Sequence, residues 1–268
     1  MHRLVLALLL LFWIAMNGWL WRQEFGGAPA PGERVELDLL ADRLLTAPDP
    51  STLDIRQGDR RLGFCRWTPN IVEAPAAALP GPDGQPVEGR VSRVAGYVVD
   101  IEWSLLSGEA FQRWRGSLRL DFDASRQWVS MLARLNLRPL LCEVEAQAGR
   151  PAVRVHLDND GQPWTRWIAL SDLRQPADLI SELGLPPEWS GVLSGLTLGS
   201  WLPDAQALKV EARRDRIRVG RAHARVYRVE IRWRDLSRVG IVINRVGEIL
   251  RVELPGDLVL LNEAISTW

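Results

Sequence analysis

The densest run of metal-type ligands in this 268-residue chain is His156-Leu-Asp158-Asn-Asp160-Gly161. Oxygen donors two residues apart, followed by glycine, match the first half of a calcium-binding loop. The match stops at the ends: His156 stands where a carboxylate is needed and Trp167 where the bidentate glutamate belongs. Asp158-Asn-Asp-Gly161 is also a strong turn sequence, so the expectation here is a hairpin turn without metal.

Other reactive residues are sparse. His2 belongs to the leader, and His223 follows a Gly220-Arg221 turn among arginines that disfavour a further positive charge. The pairs Asp121/Asp123 and Glu143/Glu145 each fall on one strand face at i, i+2 spacing, as a solvated face does and as two-carboxylate glycan hydrolysis would require. No nucleophile elbow, Ser-x-x-Lys pair, zincin helix, Cys-x-x-Cys or phosphate-cradling glycine loop occurs in the sequence. No catalytic residue, cofactor site or metal ligand is therefore assigned. A non-enzymatic role is expected, with a glycan-acting hydrolase using unidentified carboxylates as an alternative. Cys65 and Cys142 form either a disulfide closing a long loop or a pair of buried free thiols. Arg228, Arg232 and Arg234, with Arg216, Arg218 and Arg225 nearby, make a basic patch suited to an anionic headgroup or glycan. Glu211 and Glu230 interleave with them and favour ion pairing on a wet sheet face.

The elements that must position these residues begin with the first 22. Leu4–Trp21 is apolar but for Asn17 and would span about 27 Å as a helix, close to a hydrocarbon core. Trp19, Trp21 and Arg22 provide interfacial anchors, and no small-x-small cleavage site follows directly. Residues 1–25 are expected to be a leader and transmembrane anchor across the inner membrane, N-terminus inside. Residues 26–32 read as a Pro/Gly linker and 33–268 as a β-rich periplasmic domain. Lys+Arg and Asp+Glu are both 33, which argues against nucleic acid as a partner.

Helical spacing predicts an amphipathic helix over Glu33–Thr46, stopped by Pro48 and Pro50. From residue 52 the period becomes two. Tyr97, Val99, Ile101, Trp103 and Leu105 alternate with Asp100, Glu102 and Ser104; Trp114, Leu118, Leu120 and Phe122 with Arg113, Arg115, Arg119 and Asp121. Met131, Ala133, Leu135 and Leu137 repeat the pattern. Such alternation over short turns predicts an antiparallel meander with one wet face. Six or seven strands are expected before a second helix near 172–184 and about five after it, allowing two tandem half-barrels, 52–170 and 171–262. The final predicted strand is Glu248–Leu254. Between the halves, Leu185–Pro203 is apolar and glycine-rich, and Trp189, Leu193, Leu196, Leu198 and Trp201 are candidates for a hydrophobic lip.

The N-terminal anchor, the long meander and the closing Val246-Gly-Glu-Ile-Leu-Arg-Val-Glu-Leu-Pro255 together resemble single-pass envelope proteins of Gram-negative bacteria. The ending is similar to the last strands of periplasmic proteins with the curved half-barrel of the lipoprotein-carrier type. That resemblance implies a mainly β fold with short covering helices, and a lipid, a lipoprotein-like ligand or an envelope protein as partner. A structural or assembly component of an envelope complex is the competing expectation.

Overall fold

The computed structural model describes residues 12–17, 32–74, 93–107, 112–169, 208–219, 222–233 and 237–266. Eight strands precede the long central connection: β1 (Ser51–Gln57), β2 (Arg60–Ala74), β3 (Arg93–Ser107), β4 (Gln112–Asp123), β5 (Trp128–Leu137), β6 (Leu140–Gln147), β7 (Ala152–Asn159) and β8 (Gln162–Ala169). Five follow it: β9 (Leu208–Val219), β10 (Ala222–Trp233), β11 (Ser237–Asn244), β12 (Ile249–Leu254) and β13 (Leu258–Asn262). Helix α1 (Leu37–Leu45) precedes the first strand and α2 (Glu263–Ser266) follows the last.

The strands form one antiparallel sheet in the order β8-β7-β6-β5-β4-β3-β2-β1-β13-β12-β11-β10-β9. Two meanders meet at β1 and β13, whose register runs from Leu53↔Asn262 to Gln57↔Leu258. This ladder joins β1–β8 and β9–β13 in a single sheet in place of the expected two tandem half-barrels. Strand β13 was not expected. Pro255, Gly256 and Asp257 make a three-residue hairpin loop, and Gly256 and Asp257 both have the positive φ that turns the chain back. Leu258-Val-Leu-Leu-Asn262 lacks alternation because both of its faces are partly covered.

Other boundaries moved for local reasons. Arg213, Arg214 and Asp215 look like a break between strands, yet β9 runs straight through them. Arg213 pairs with Glu211 at 2.6 Å, Arg214 with Glu33 at 3.1 Å and Asp215 with Arg228 at 2.9 Å, so each charge stays in the ladder with a partner. Strand β2 continues past Pro69 to Ala74. β1 reaches only as far as Trp67, so Pro69 lies where β2 has a strand on one side alone, a setting that tolerates proline.

The helix expected over Glu33–Thr46 is shorter at its start. Val35 N–H donates to Ala212 O, Gly32 N–H to Arg214 O, and Arg214 N–H to Glu33 O, so this segment covers part of the β9 edge. α1 then turns inward. Asp38 in its first turn and Arg43 in its last complement the helix dipole, and Thr46 N–H and Oγ1 both donate to Asp42 O at its end.

The position of α1 reveals how far the sheet curls. Leu40 packs on Ala212, Val229 and Ile243 from β9, β10 and β11. At the same helix, Arg126 in the β4–β5 turn donates to Asp38 O at 3.1 Å and lies 3.6 Å from the Asp42 carboxylate. In a flat sheet β4 and β10 would stand roughly 34 Å apart, at about 4.8 Å per strand. One helix touches both, so the sheet wraps around it, and the face carrying Val229 and Ile243 is concave.

Side chains lock the seam where β12 begins. Ile249 N–H donates to Ser51 Oγ and Asn262 Nδ2 donates to Ile249 O, each at 2.9 Å. Asn244 Oδ1 accepts from the N–H groups of Val246 and Glu248, closing the β11–β12 turn. Gly247 in that turn has φ +98°, and a Cβ there would lie 1.9 Å from Arg43 O of α1. On the opposite face, Asp54 is buried. Arg56 donates to its Oδ2 at 3.4 Å, and Arg61 Nη2 makes a charge contact with its Oδ1 at 2.6 Å off the hydrogen-bond angle.

Of the predicted span 4–21, residues 12–17 are helical, with Phe12, Trp13 and Ile14 exposed, and the rest lies outside the described residues. No helix among the described residues is long and apolar enough to cross a membrane. The helix expected at 172–184 and the lip residues Trp189, Leu193, Leu196, Leu198 and Trp201 also lie outside the described residues.

Two substitutions test this packing. Gly247→Ala should destabilise by roughly 1–3 kcal/mol from backbone strain alone, more if α1 is displaced. Ile243 is fully buried, and Ile243→Ala should cost about 2–5 kcal/mol. Urea denaturation of both variants reads the losses directly, and unchanged midpoints would contradict the seam geometry.

Candidate ligand-binding face

Register converts the sequence alternation into rows that cross the sheet. On the concave face one row reads Cys65, Trp103, Gly116, Leu135, Cys142, Leu157 and Trp164. The next reads Trp67, Ile101, Leu118, Ala133, Val144 and Val155, and the one after it Pro69, Val99, Leu120, Met131, Ala146, Val153 and Ile168. Ile71, Tyr97, Phe122 and Trp128 complete the series towards α1. From β2 to β7 none of these side chains is charged; at β8 the second row continues with Arg166, opposite Val155.

Burial varies along the rows. Leu157, Val155, Val153 and Ile168 are buried and pack together on β7 and β8 with Leu140 and Ala146 of β6. Trp67, Ile101, Trp103, Trp114, Leu118, Leu120 and Leu135, over β2 to β5, remain half-buried. The Trp103 indole lies over Gly116, where a Cβ would come within 2.1 Å of its Cζ2. Glycine is thus required at 116 to seat the ring flat on the sheet. Trp67 Nε1 is buried without a hydrogen-bond partner among the described residues.

The opposite face carries the charge and accounts for most of the candidate chemistry. Asp121 accepts from Ser130 Oγ at 2.6 Å and from Arg119 at 3.2 Å, and Asp123 Oδ1 accepts from Gln127 N–H at the β4–β5 turn. Glu143 pairs with Arg134 at 2.7 Å and Glu145 with Arg154 at 3.3 Å. All four carboxylates thus serve cross-strand or turn contacts. The expected ion pairing of the arginine patch holds for Arg228, bonded to Asp215, and Arg232, bonded to Glu230 at 2.9 Å. Arg234 lies outside the described residues. This face also holds an open depression of about 750 Å³, lined in part by Phe64, Leu106, Leu141, Arg113, Arg115 and Arg134.

The His156–Gly161 run is a hairpin turn. Asp160 and Gly161 have φ of 54° and 82°, and Asp158 Oδ1 accepts the Gly161 N–H at 2.9 Å, the local bond that favours aspartate at such turns. His156 lies on the charged face and shares a 2.7 Å hydrogen bond with Thr165 Oγ1.

Cys65 and Cys142 are free thiols. They occupy one row but stand four strand spacings apart, roughly 19 Å along the sheet, well beyond disulfide reach. Burial pushes the Cys65 thiol up to about 11, and burial with the neighbouring Glu143 charge does the same for Cys142. Raised values mean that the folded state holds these protons more tightly than the unfolded chain. Their contribution to stability is full below pH 9 and is lost as the pH rises towards about 11. Thiolate absorbance should accordingly titrate near pH 11 in the folded protein and near the ordinary thiol range in denaturant. Ionisation of both thiols near pH 9 in the native state would contradict this burial.

Compared with known proteins, the chain matches no family model, no curated protein and no solved structure.

Proposed function

We propose that this chain is a membrane-tethered envelope protein, non-enzymatic, whose concave sheet face binds the apolar portion of a lipid or lipoprotein-like ligand. The uncharged rows of half-buried side chains over β2 to β5, framed by Trp67, Trp103 and Trp114, carry the proposal. A curved apolar surface with few polar groups suits an acyl chain, since burial against it releases water at about 25 cal/mol per Å². The apolar segment 4–21 and the linker 26–32 support tethering to the inner membrane, with the sheet in the periplasm.

Full-length protein purified in mild detergent, extracted with organic solvent and examined by mass spectrometry should yield bound lipid. Leu118→Glu places a carboxylate in the second concave row and should reduce the recovered lipid at least several-fold, with thermal melting retained. Recovery of no lipid from the parent protein, or equal recovery from both, would refute ligand binding on this face.

A further inference from the structure

The open depression on the charged face is built from cross-strand neighbours that the ligand-binding proposal leaves unused. Phe64, Ser104, Arg115, Asn136 and Leu141 form one row across β2 to β6. In the row beside it Leu106 stands opposite Arg113, and in the row on the other side Ser117 lies between Glu102 and Arg134. The short Ser104 and Ser117 side chains keep the floor low, while the exposed Phe64, Leu106 and Leu141 stand around it. A volume of about 750 Å³ suits a small organic molecule.

Four arginines line the depression: Arg61, Arg113, Arg115 and Arg134. Arg61 is engaged by Asp54 and Arg134 by Glu143. Arg113 and Arg115 are exposed and make no ion pair with any described residue. The other arginines on this face of β4 to β7 each have an acid: Arg119 has Asp121, Arg134 has Glu143 and Arg154 has Glu145. Two residues apart on β4, Arg113 and Arg115 leave the sheet on one side, about 7 Å from each other. One bridging anion would satisfy both. Ser104 and Asn136 flank Arg115 directly on the neighbouring strands and add a hydroxyl and an amide donor. Glu102 is the lining's one carboxylate; it stands opposite Arg66 and Ser117 and pairs with neither Arg113 nor Arg115. A smaller hollow of about 250 Å³ continues alongside, where Arg138 joins Arg113, Arg115 and Asn136.

We infer that this depression binds an organic oxyanion, a carboxylate or a phosphate monoester, through Arg113 and Arg115, with the apolar portion of the ligand against Phe64, Leu106 and Leu141. The planar guanidinium fork matches two oxygens of either acid group. The sheet itself separates this site from the apolar trough, so it depends neither on a lipid bound there nor on a membrane.

Full-length protein in a nonionic detergent, titrated calorimetrically with phenyl phosphate and with benzoate, provides the test. The tighter of the two probes identifies the acid group. R113Q/R115Q should weaken its binding at least about tenfold. E102Q removes the competing negative charge and should tighten binding several-fold. Inorganic phosphate, which lacks the apolar portion, should bind much more weakly than the better probe. Binding of neither probe, equal binding by R113Q/R115Q, or equally tight binding of inorganic phosphate would overturn the inference. Should the double variant melt below the parent, E102Q decides: tighter binding supports the site and unaltered affinity refutes it.

Discussion

The constraint on which this molecule depends is the pairing of β1 with β13. The two strands belong to opposite ends of the chain and share five register pairs. Without them β1–β8 and β9–β13 would each present an unpaired inner edge. The polar stitches at Ile249, from Ser51 on β1 and Asn262 on β13, satisfy backbone groups that the irregular start of β12 leaves without ladder partners. Closing contacts more than two hundred residues apart in sequence carries a large loop-entropy penalty. Burial of Leu53 and Ile55 on β1 and of Ile249 and Leu250 on β12 offsets it at the place where it is incurred.

Charge is sorted by face with few exceptions. The concave rows of β2–β7 hold none, and the opposite rows hold arginines matched by aspartates and glutamates at about 3 Å. Exposed pairs of this kind contribute little stability individually. Their value lies in register: a slip of one residue would bring Arg134 or Glu143 onto the apolar face and expose Leu135 and Val144. The margins depart from this sorting: Arg166 on β8 and Arg216 and Arg225 on the β9–β10 hairpin occupy the side that is apolar over β2–β7.

Much of this was legible in the sequence because a strand with one wet face records its own orientation. The faces of β3, β4 and β5 follow residue by residue from Tyr97–Leu105, Trp114–Phe122 and Met131–Leu137. β13 was illegible for the converse reason: flanked on both sides and partly covered on both faces, it has no reason to alternate. The union of the two halves was equally hidden, because the complementarity of Leu53–Gln57 and Leu258–Asn262 is carried by backbone groups common to every residue. Alternation made the apolar lining of the candidate site visible, but the seating of Trp103 on Gly116 depends on a cross-strand register that no local pattern contains. Curvature was expected from the half-barrel resemblance, and its extent shows in Arg126 and Leu40 meeting one short helix.

Because the first and last strands meet at the middle of the sheet, its two margins, β8 and β9, are the positions most remote from the seam. A hairpin gained or lost at the β8 margin would leave the β1–β13 register, the Ile249 stitches and the Gly247 turn untouched. The breadth of the concave trough is therefore a separable variable. Insertions and deletions can widen or narrow it to suit a bulkier or slimmer occupant while the centre of the fold stays the same.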